Sequence, residues 1–430
     1  MRAGDTIMAL SSGSLPAGVA VIRLSGPQVG TALTAIAGGI PQPRRLTLRP
    51  IGAGQRLDEG LVAFFPAPNS FTGEDCAELQ VHGSPAGVRA ILALLNSLGL
   101  RLAEAGEFTR RAFENGKLDL VAVEGLGDLL EAETEKQRQQ ALARYDGRLT
   151  EKIDLWRDTL LDLRAEIEAR LDFSDEGDVS DDLPAHWFSQ LDDLQISIGQ
   201  ALSSFEIGRI VREGIRVALA GPPNAGKSSL LNALSRSDLA IVSDEAGTTR
   251  DVREVGLDID GQLFVLLDLA GLRDTDSKAE AEGVRRAKQA INTADIVLWL
   301  QAPDVDPLPR PETKGHFLTV GTKTDLATSQ GVDIGVSTQT ETGLQALREK
   351  LAVLGQDLAG GEPALVSHER DRQALQEALA ALEACRSTVG DWELAAESLR
   401  GASAALERLI GRIDAERVLD RLFASFCIGK

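Results

Sequence analysis

Cysteine, aromatic side chains, net positive charge and long apolar runs are all scarce in this chain. Its three cysteines, Cys76, Cys385 and Cys427, stand far apart, with no C-x-x-C pair. That argues against a disulfide framework and a thiolate zinc site, and it places the chain, as an expectation, in the cytoplasm. Aromatic residues make up 4%, with Tyr145 the single tyrosine, too few for an extended surface on which bases stack. Lys and Arg number 45 against 65 Asp and Glu, a formal charge of −20. A chain of that sign does not coat nucleic acid through its net field, so any such contact must be local or supplied by a basic partner. No stretch approaches the roughly 20 apolar residues of a membrane span. The charge-free stretch Thr6 to Ile22 is broken by three Ser, two Gly and a Pro, so no signal peptide is expected there.

What is present is ordinary globular material. The 430 residues are 43% apolar and 26% charged, enough for about three domains. Residues 1–117 intersperse expected strands (Gly18–Leu24, Leu61–Phe65, Ala77–Val81) with an expected helix, Pro85–Leu98. They read as an α+β domain that closes at an Asn115–Gly116 turn. Residues 118–212 read as helical. Leu149, Ile153, Trp156, Leu160, Leu163, Ile167 and Leu171 recur every three or four positions, one long apolar stripe of a helical bundle. An acidic stretch follows, with Asp172, Asp175, Glu176, Asp178, Asp181 and Asp182. It lacks the spacing and glycine of an EF-hand and reads as a solvated loop. Leu191, Leu194, Ile198, Leu202 and Phe205 form a second stripe.

From 213 to 361 strands and helices alternate, the pattern of an α/β domain with a mostly parallel sheet. Expected strands are Ile215–Ala220, Val252–Ile259, Gln262–Asp268, Ile296–Leu300, Phe317–Gly321 and Val332–Val336, with Asp260–Gly261 as a hairpin turn. Residues 362–430 return to helical stripes, through Leu375, Leu379 and Leu382, then Leu394 to Ile413 and Ala415 to Phe426. The simplest organisation is one helical domain interrupted by an inserted α/β domain whose two ends lie close together.

The inserted domain carries the chemistry. Gly221-Pro-Pro-Asn-Ala-Gly226-Lys227-Ser228 fits G-x-x-x-x-G-K-[ST] between a strand and an apolar helix. Backbone N–H groups of such a loop wrap phosphates, Lys227 reaches the β- and γ-phosphates and Ser228 can ligate Mg²⁺. Asn224, Ala225, Gly226 and Ser229 complete the expected nucleotide contacts of this segment. Gly247-Thr248-Thr249-Arg250-Asp251 lies downstream, where a threonine can close over Mg²⁺ and the γ-phosphate. Asp268-Leu269-Ala270-Gly271 ends a strand; Asp268 can hold the metal through water and the Gly271 N–H can sense the γ-phosphate. Three elements in this order make a P-loop GTPase-type switch domain. Thr322-Lys323-Thr324-Asp325 stands where a guanine reader has N-K-x-D. Asp325 can accept both the N1–H and the N2 amine of guanine and Lys323 can lie along the base, whereas Thr322 weakens or loses one contact. Ser337-Thr338-Gln339 replaces the usual Ser-Ala pair. GTP is favoured over ATP. Leu272 follows Gly271, and an apolar side chain cannot orient an attacking water, so another group and a second positive charge are needed.

Further short segments, quoted in order, give the chain a resemblance. Arg23-Leu-Ser-Gly26, Ser70-Phe-Thr-Gly-Glu-Asp75, Asn115-Gly-Lys-Leu-Asp-Leu120 and the ending Phe426-Cys427-Ile428-Gly429-Lys430, with the GTPase motifs set between helical segments, make the sequence similar to the MnmE (TrmE) family of tRNA-modification GTPases. The resemblance covers nearly the whole chain. It implies a one-carbon tetrahydrofolate (5-formyl or methylene) in the N-terminal domain, at Arg23, Glu78, Lys117 and Lys430; the residue types alone would pass for surface charges. It also implies homodimers and a K⁺ ion held by Asn224, Ser243, Glu245 and Thr248, with Ser228 and Thr249 on Mg²⁺. Ser243 to Thr249 is then the switch loop. Glu280 matches the water-positioning glutamate, although a helix-start carboxylate is its ordinary reading. The implied partners are tRNA and the FAD-carrying flavoprotein MnmG (GidA), and the implied product is an aminomethyl-type or carboxymethylaminomethyl group on C5 of the wobble uridine. Cys427 is either a nucleophile or a packed thiol. Departures from the family pattern are Leu269, Thr322, Thr338 and Ala105.

Two other readings share the P-loop: a stand-alone regulatory GTPase, for example in ribosome assembly, and a non-hydrolysing scaffold. The first leaves the long N-terminal half and the tail unexplained, and the second requires that Thr322 and Leu269 abolish nucleotide binding. One local expectation concerns Gln301 to His316. Pro303, Pro307, Pro309 and Pro311 fall where such domains place a crossover helix, and an interior proline costs about 3 kcal/mol. The helix should be missing, an extended loop should take its place, and the sheet face should be shielded by the helix around Gly283–Ile291.

Overall fold

The computed structural model describes residues 4–172, 183–236, 240–241, 253–268, 288–327 and 330–413, with Leu419, Phe423 and Gly429. The chain divides into two compact units, one made of Met1–Gly127, Tyr145–Arg164 and Glu393–Lys430, the other of Asp128–Arg144 and Ala165–Trp392.

The first unit is built on a six-stranded sheet of β1 (Ile7–Leu10), β2 (Ala17–Ser25), β3 (Thr47–Ile51), β4 (Asp58–Phe65), β5 (Cys76–Gly83) and β6 (Arg101–Leu102), in the order β3-β4-β5-β2-β1-β6. Only β1 and β6 pair parallel. Alternation puts Ile22 and Leu24 of β2, and Ala77, Leu79 and Val81 of β5, on one buried face. Helices α1 (Val29–Ala37) and α2 (Pro85–Ser97) supply Leu33, Ile36, Ile91 and Leu95 to the same core. Proline opens α2 and the Ser84 hydroxyl caps it. The strands expected at Gly18–Leu24, Leu61–Phe65 and Ala77–Val81 and the helix at Pro85–Leu98 are present. Strands β1, β3 and β6 and helix α1 were not foreseen, because runs this short carry too little periodicity. Helix α3 (Glu107–Glu114) ends at Asn115, and Gly116 turns the chain with φ 65°.

Three helices follow: α4 (Leu120–Glu131), α5 (Glu135–Tyr145) and α6 (Arg148–Asp172). The long stripe lies on α6 as expected, with Leu149, Ile153, Trp156, Leu160, Leu163 and Ile167 buried. In the second unit α7 (Ala185–Ser203) carries the next stripe, but the helix breaks at Ser204 and Phe205 opens α8 (Phe205–Glu213).

The second unit holds a seven-stranded sheet: β7 (Ile215–Ala220), β8 (Ala240–Ile241), β9 (Arg253–Ile259), β10 (Gln262–Asp268), β11 (Ile296–Gln301), β12 (His316–Gly321) and β13 (Ile334–Gly335), in the order β13-β12-β11-β7-β10-β9-β8. The five strands from β13 to β10 are parallel, and only β9 and β8 run against their neighbours. Helices α9 (Lys227–Ser235) and α10 (Leu344–Ala359) cover one face with Leu230, Leu231, Leu234, Leu347 and Leu351. Asp260 and Gly261 take φ 55° and 74°, the left-handed pair of a tight hairpin. The expected strand Val332–Val336 shrinks to Ile334–Gly335, with Val332, Asp333 and Val336 outside its short register with β12. Gln301 to Gly315 contains no helix. The sheet face there buries Val297 and Trp299 with Ile291 and Ala294. The loop contributes its own cover, for the Arg310 guanidinium lies 3.6 Å from the Phe317 ring centroid and Thr313 donates to Ile291 O at 3.2 Å. Residues Gly283 to Ala287 of the shielding helix lie outside the described residues.

After the α/β segment come α11 (Glu369–Ser387) and α12 (Trp392–Leu409). The stripe expected from Leu394 to Ile413 therefore stops at Leu409, and Gly411 with φ 78° turns the chain beyond it; the stripe expected from Ala415 to Phe426 lies, apart from Leu419 and Phe423, outside the described residues. In the second unit, α5 grips both ends of the α/β segment. Gln137 Nε2 donates to Arg212 O at 2.9 Å, and Gln140 Nε2 to Gly208 O at 3.1 Å and Ala364 O at 2.7 Å. Arg144 donates to Leu365 O and pairs with Asp371 at 2.7 Å, both side chains being fully buried. Burial pushes the Asp371 carboxyl up, but Arg144, Arg370 and His368 outweigh it and hold the group well below its usual range. Arg144→Met should destabilise this unit by about 3–5 kcal/mol, since it leaves a buried charge uncompensated. Urea unfolding of the intact chain measures it, and a loss within about 1 kcal/mol, the scale of a surface pair, would show that the pair does not hold the crossing.

Candidate functional site

Parallel strands in one sheet end at one edge, and ligands of such sheets bind outside those ends. Here β7 ends at Ala220, just before Gly221, β10 at Asp268, β11 at Gln301 and β12 at Gly321, just before Thr322. Gly221 has φ 144°, and a Cβ there would stand 2.5 Å from Leu300 O, so only glycine lets the loop leave β7 beside β11. Asn224 adopts φ 63° and Gly226 φ 90°, which folds residues 221–226 back over the start of α9. Lys227 Nζ lies across this loop, donating to Gly221 O and Pro222 O at 2.8 Å each. Ser228 Oγ donates to Asp268 Oδ2 at 3.1 Å. Two hard oxygens at that spacing, one an anionic carboxylate, suit Mg²⁺. Ala225 is buried within the loop.

The candidate base-reading loop is joined to this edge. Thr322 Oγ1 donates to Ala225 O at 2.6 Å, and Thr322 N to Gln301 O at 2.7 Å. Lys323 has φ 54°, and its ammonium pairs with Asp304 at 2.7 Å. That hydrogen bond from Lys323 holds the exposed Asp304 carboxyl below its usual range. Asp304 belongs to the proline-rich crossover, so this loop, distant in sequence from the phosphate motifs, touches the base reader directly. Ser337 Oγ donates to Asp325 Oδ1 at 2.5 Å and accepts from the N–H groups of Gln339 and Thr340 at 3.3 Å each. Thr338 is half-buried beside it. Ser243, Glu245, Thr248, Thr249, Gly271 and Glu280 lie outside the described residues.

In the first unit Arg23 and Glu78 face each other across β2 and β5 and pair at 3.0 Å, both about a quarter exposed. The guanidinium also lies 5.5 Å from the Phe71 ring centroid and 5.8 Å from that of Phe108. A cation, a carboxylate and two rings at one place suit a flat heteroaromatic acid. Lys117 is exposed, and its stem would meet a Cβ on Gly73 at 3.4 Å. Lys430 and Cys427 lie outside the described residues, but Gly429 is placed: Ser11 Oγ donates to its carbonyl at 2.9 Å. Ser11 follows Leu10, whose β2 partner is Ile22, next to Arg23.

Residues that sequence reasoning missed tie these motifs together. Ser25 hydrogen-bonds Thr72 and Glu74 at 2.7 Å each, Gly26 N donates to Asp75 O at 2.9 Å, and Asn115 Nδ2 to Thr72 O at 2.7 Å. Three short motifs spread along the N-terminal domain thus meet. Beneath them, Arg111 pairs with Asp5, Glu74 and Glu107, and Arg101 with Asp5 and Glu107. No spacing rule marks such a network, because its members come from separate elements. Burial pushes Asp5 and Glu107 up, but hydrogen bonds from Arg101 and Arg111 hold both below their usual values.

Residues 6–117 match the family model described as the N-terminus of the GTP-binding protein TrmE, and residues 120–427 match that of the MnmE helical domain. The tRNA modification GTPase MnmE of Azorhizobium caulinodans is 49% identical to this chain, over 100% of both. That of Rhizobium johnstonii is 48% identical over 99% of both, and that of Rhizobium meliloti 48% over 100% of both.

The buried network sets an acid limit. Asp5 and Glu107 have folded pKa values below their unfolded ones. Their contribution is therefore complete above about pH 4–5 and is lost as pH falls through the lower folded values. Urea unfolding of the intact chain should show stability of the first unit constant near neutrality and dropping in acid. Glu107→Gln should be less stable at neutrality and less sensitive to acid; an unchanged acid slope would show that the network does not carry the linkage.

Proposed function

Because the chain belongs to the MnmE family of tRNA modification GTPases, we propose that it hydrolyses GTP as a component of the complex that modifies C5 of the wobble uridine. The observation that carries this reading is the shared sheet edge, where the phosphate loop, Asp268 and the Thr322–Asp325 loop converge. In this reading Asn224 to Ser229 cradle the phosphates, with Lys227 turning from the loop carbonyls to the phosphate oxygens. Ser228 and Thr249 hold Mg²⁺, with Asp268 acting through water, and the ion supplies electrostatic stabilisation of the charge on the transferring phosphoryl group. Asn224, Ser243, Glu245 and Thr248 hold K⁺, the second positive charge that Leu272 makes necessary. Gly271 senses the γ-phosphate, and Glu280 orients the attacking water. Thr322, Lys323, Asp325, Ser337 and Thr338 form the guanine end.

Residues 1–117 bind a one-carbon tetrahydrofolate, with Arg23, Lys117 and Lys430 supplying cations for its carboxylates and Glu78 accepting from the pterin. They also form the homodimer contact. Residues 118–212 and 362–430 are the interrupted helical domain, and 213–361 the inserted GTPase domain. A flavoprotein partner, MnmG (GidA), supplies the FAD chemistry and most of the tRNA surface. This division suits a chain of net charge −20. No helix among the described residues is long and apolar enough to cross a membrane, and the proposed setting is the cytoplasm.

Two measurements test the reading. GTP hydrolysis should be several-fold faster in K⁺ than in Na⁺ at equal ionic strength; equal rates would remove the K⁺ site. Transfer RNA from a strain lacking this protein should carry unmodified C5 at the wobble uridine, restored by the wild-type chain and not by a Lys227→Ala variant. Full modification in the deletion strain would overturn the tRNA role.

A further inference from the structure

The loop Thr322–Asp325 differs from the guanine-reader pattern at its first position, and the structure shows what the substituted residue does. Thr322 is 2% exposed. Its Oγ1 stands 2.6 Å from Ala225 O in the phosphate loop and 3.1 Å from Gln301 O at the end of β11. Both neighbours are backbone carbonyls and accept only. A hydroxyl carries one proton, whereas a side-chain amide carries two on one nitrogen. An asparagine here could donate to the carbonyl and to a second acceptor together; Thr322 has no proton left once it serves Ala225 or Gln301.

Guanine presents N7 and O6 as acceptors and its N2 amine as a donor, and N1–H donates as well. A donor is therefore required for N7, and an acceptor for the N1–H and N2 edge. The nearby ammonium is held toward Asp304, with Lys323 Nζ 2.9 and 2.7 Å from its two oxygens. The acceptor is well placed: Ser337, fully buried, holds Asp325 by one oxygen and leaves the other available.

We propose that Thr322 is a strut between the phosphate loop and the base-reading loop and not a base contact, so that this chain selects guanine from its N1–H and N2 edge alone and ignores N7. The proposal rests on the reading of Thr322–Asp325 as the guanine loop. It makes Thr322 a positioning residue, whose loss should weaken every nucleotide alike.

The test is displacement of a fluorescent guanine nucleotide from the full chain by GDP, inosine diphosphate and 7-deaza-GDP. Inosine lacks the N2 amine and 7-deazaguanine lacks N7. The wild-type chain should bind 7-deaza-GDP within about 2-fold of GDP, less than one net hydrogen bond would give, and inosine diphosphate several-fold more weakly. Thr322→Val, of nearly the same shape, should weaken GDP and 7-deaza-GDP by the same factor. Thr322→Asn should favour GDP over 7-deaza-GDP by about 2- to 10-fold, the scale of one neutral hydrogen bond. Should the asparagine variant fail to fold, the wild-type pair and the valine variant still decide. A wild-type preference for GDP over 7-deaza-GDP of about 3-fold or more, on the same scale, overturns the proposal while leaving the base loop intact if inosine diphosphate binds weakly. Valine weakening GDP but sparing 7-deaza-GDP also overturns it. Inosine diphosphate binding as well as GDP overturns the base-loop reading itself, and the proposal with it.

Discussion

An α/β segment can sit inside a helical one only if the chain leaves and returns at neighbouring points, and here both crossings hang on α5. Gln137 and Gln140 bind the carbonyls of Arg212 and Gly208 in the outgoing helix α8, while Gln140 and Arg144 bind those of the return at Ala364 and Leu365. The Arg212 carbonyl, in the last turn of α8, and those of Ala364 and Leu365 belong to no ladder, and left buried and unbonded they would each cost about 1–3 kcal/mol. Gln137, Gln140 and the Arg144 guanidinium satisfy them, and the buried pair of Arg144 and Asp371 fixes where α11 begins. The same helix reaches the α/β sheet itself, for Lys136 N donates to Gly261 O in the hairpin between β9 and β10. Since β10 ends at Asp268, the helix that holds the crossings also holds the turn behind a phosphate-site residue.

Once the segment is held, the sheet does the rest. Parallel pairing from β13 to β10 brings the phosphate loop, Asp268, Gln301 and Thr322 to one edge without any contact between them being needed to put them there. The contacts then refine the edge. Ser228 meets Asp268, Thr322 meets Ala225, and Ser337 meets Asp325. The missing crossover helix belongs to this same economy of parts. Prolines keep Gln301–His316 extended, Arg310 stacks on Phe317 in place of helix side chains, and Asp304 takes hold of Lys323. A loop that looks like mere connection thereby braces the Thr322–Asp325 loop.

Beside its hydrophobic core, the N-terminal domain holds a buried charge network. Arg101, Arg111, Asp5, Glu74 and Glu107 form one network, with Glu107 2% exposed. Such a network is stable only when every member is satisfied. Ser25 contributes to that condition by donating to Glu74 Oε2, and Thr72 and Asn115 hold the surrounding loops in place. The Arg23–Glu78 pair stands on the adjoining strands, and the carbonyl of Gly429 is fastened to Ser11 nearby.

What the sequence determined by itself was the local and the periodic. Apolar stripes marked α6 and α7, Asp260–Gly261 marked the hairpin, four prolines removed a helix, and the glycines and Lys227 marked the phosphate loop, because each acts through its own backbone or within one element. The ordered motifs also carried the family likeness. Tertiary structure alone decided the rest. Short strands such as β1 and β13 exist because a neighbour offers a ladder, and no local pattern announces that. The break at Ser204 and the end of α12 at Leu409 depend on what packs beside them rather than on the stripe. The charge network and the grip of α5 join residues from separate elements, so their pairing is invisible until the chain is folded. Thr322 shows the division most plainly. Its identity warned that a base contact had changed, but only the two carbonyls around its hydroxyl show where its single proton goes.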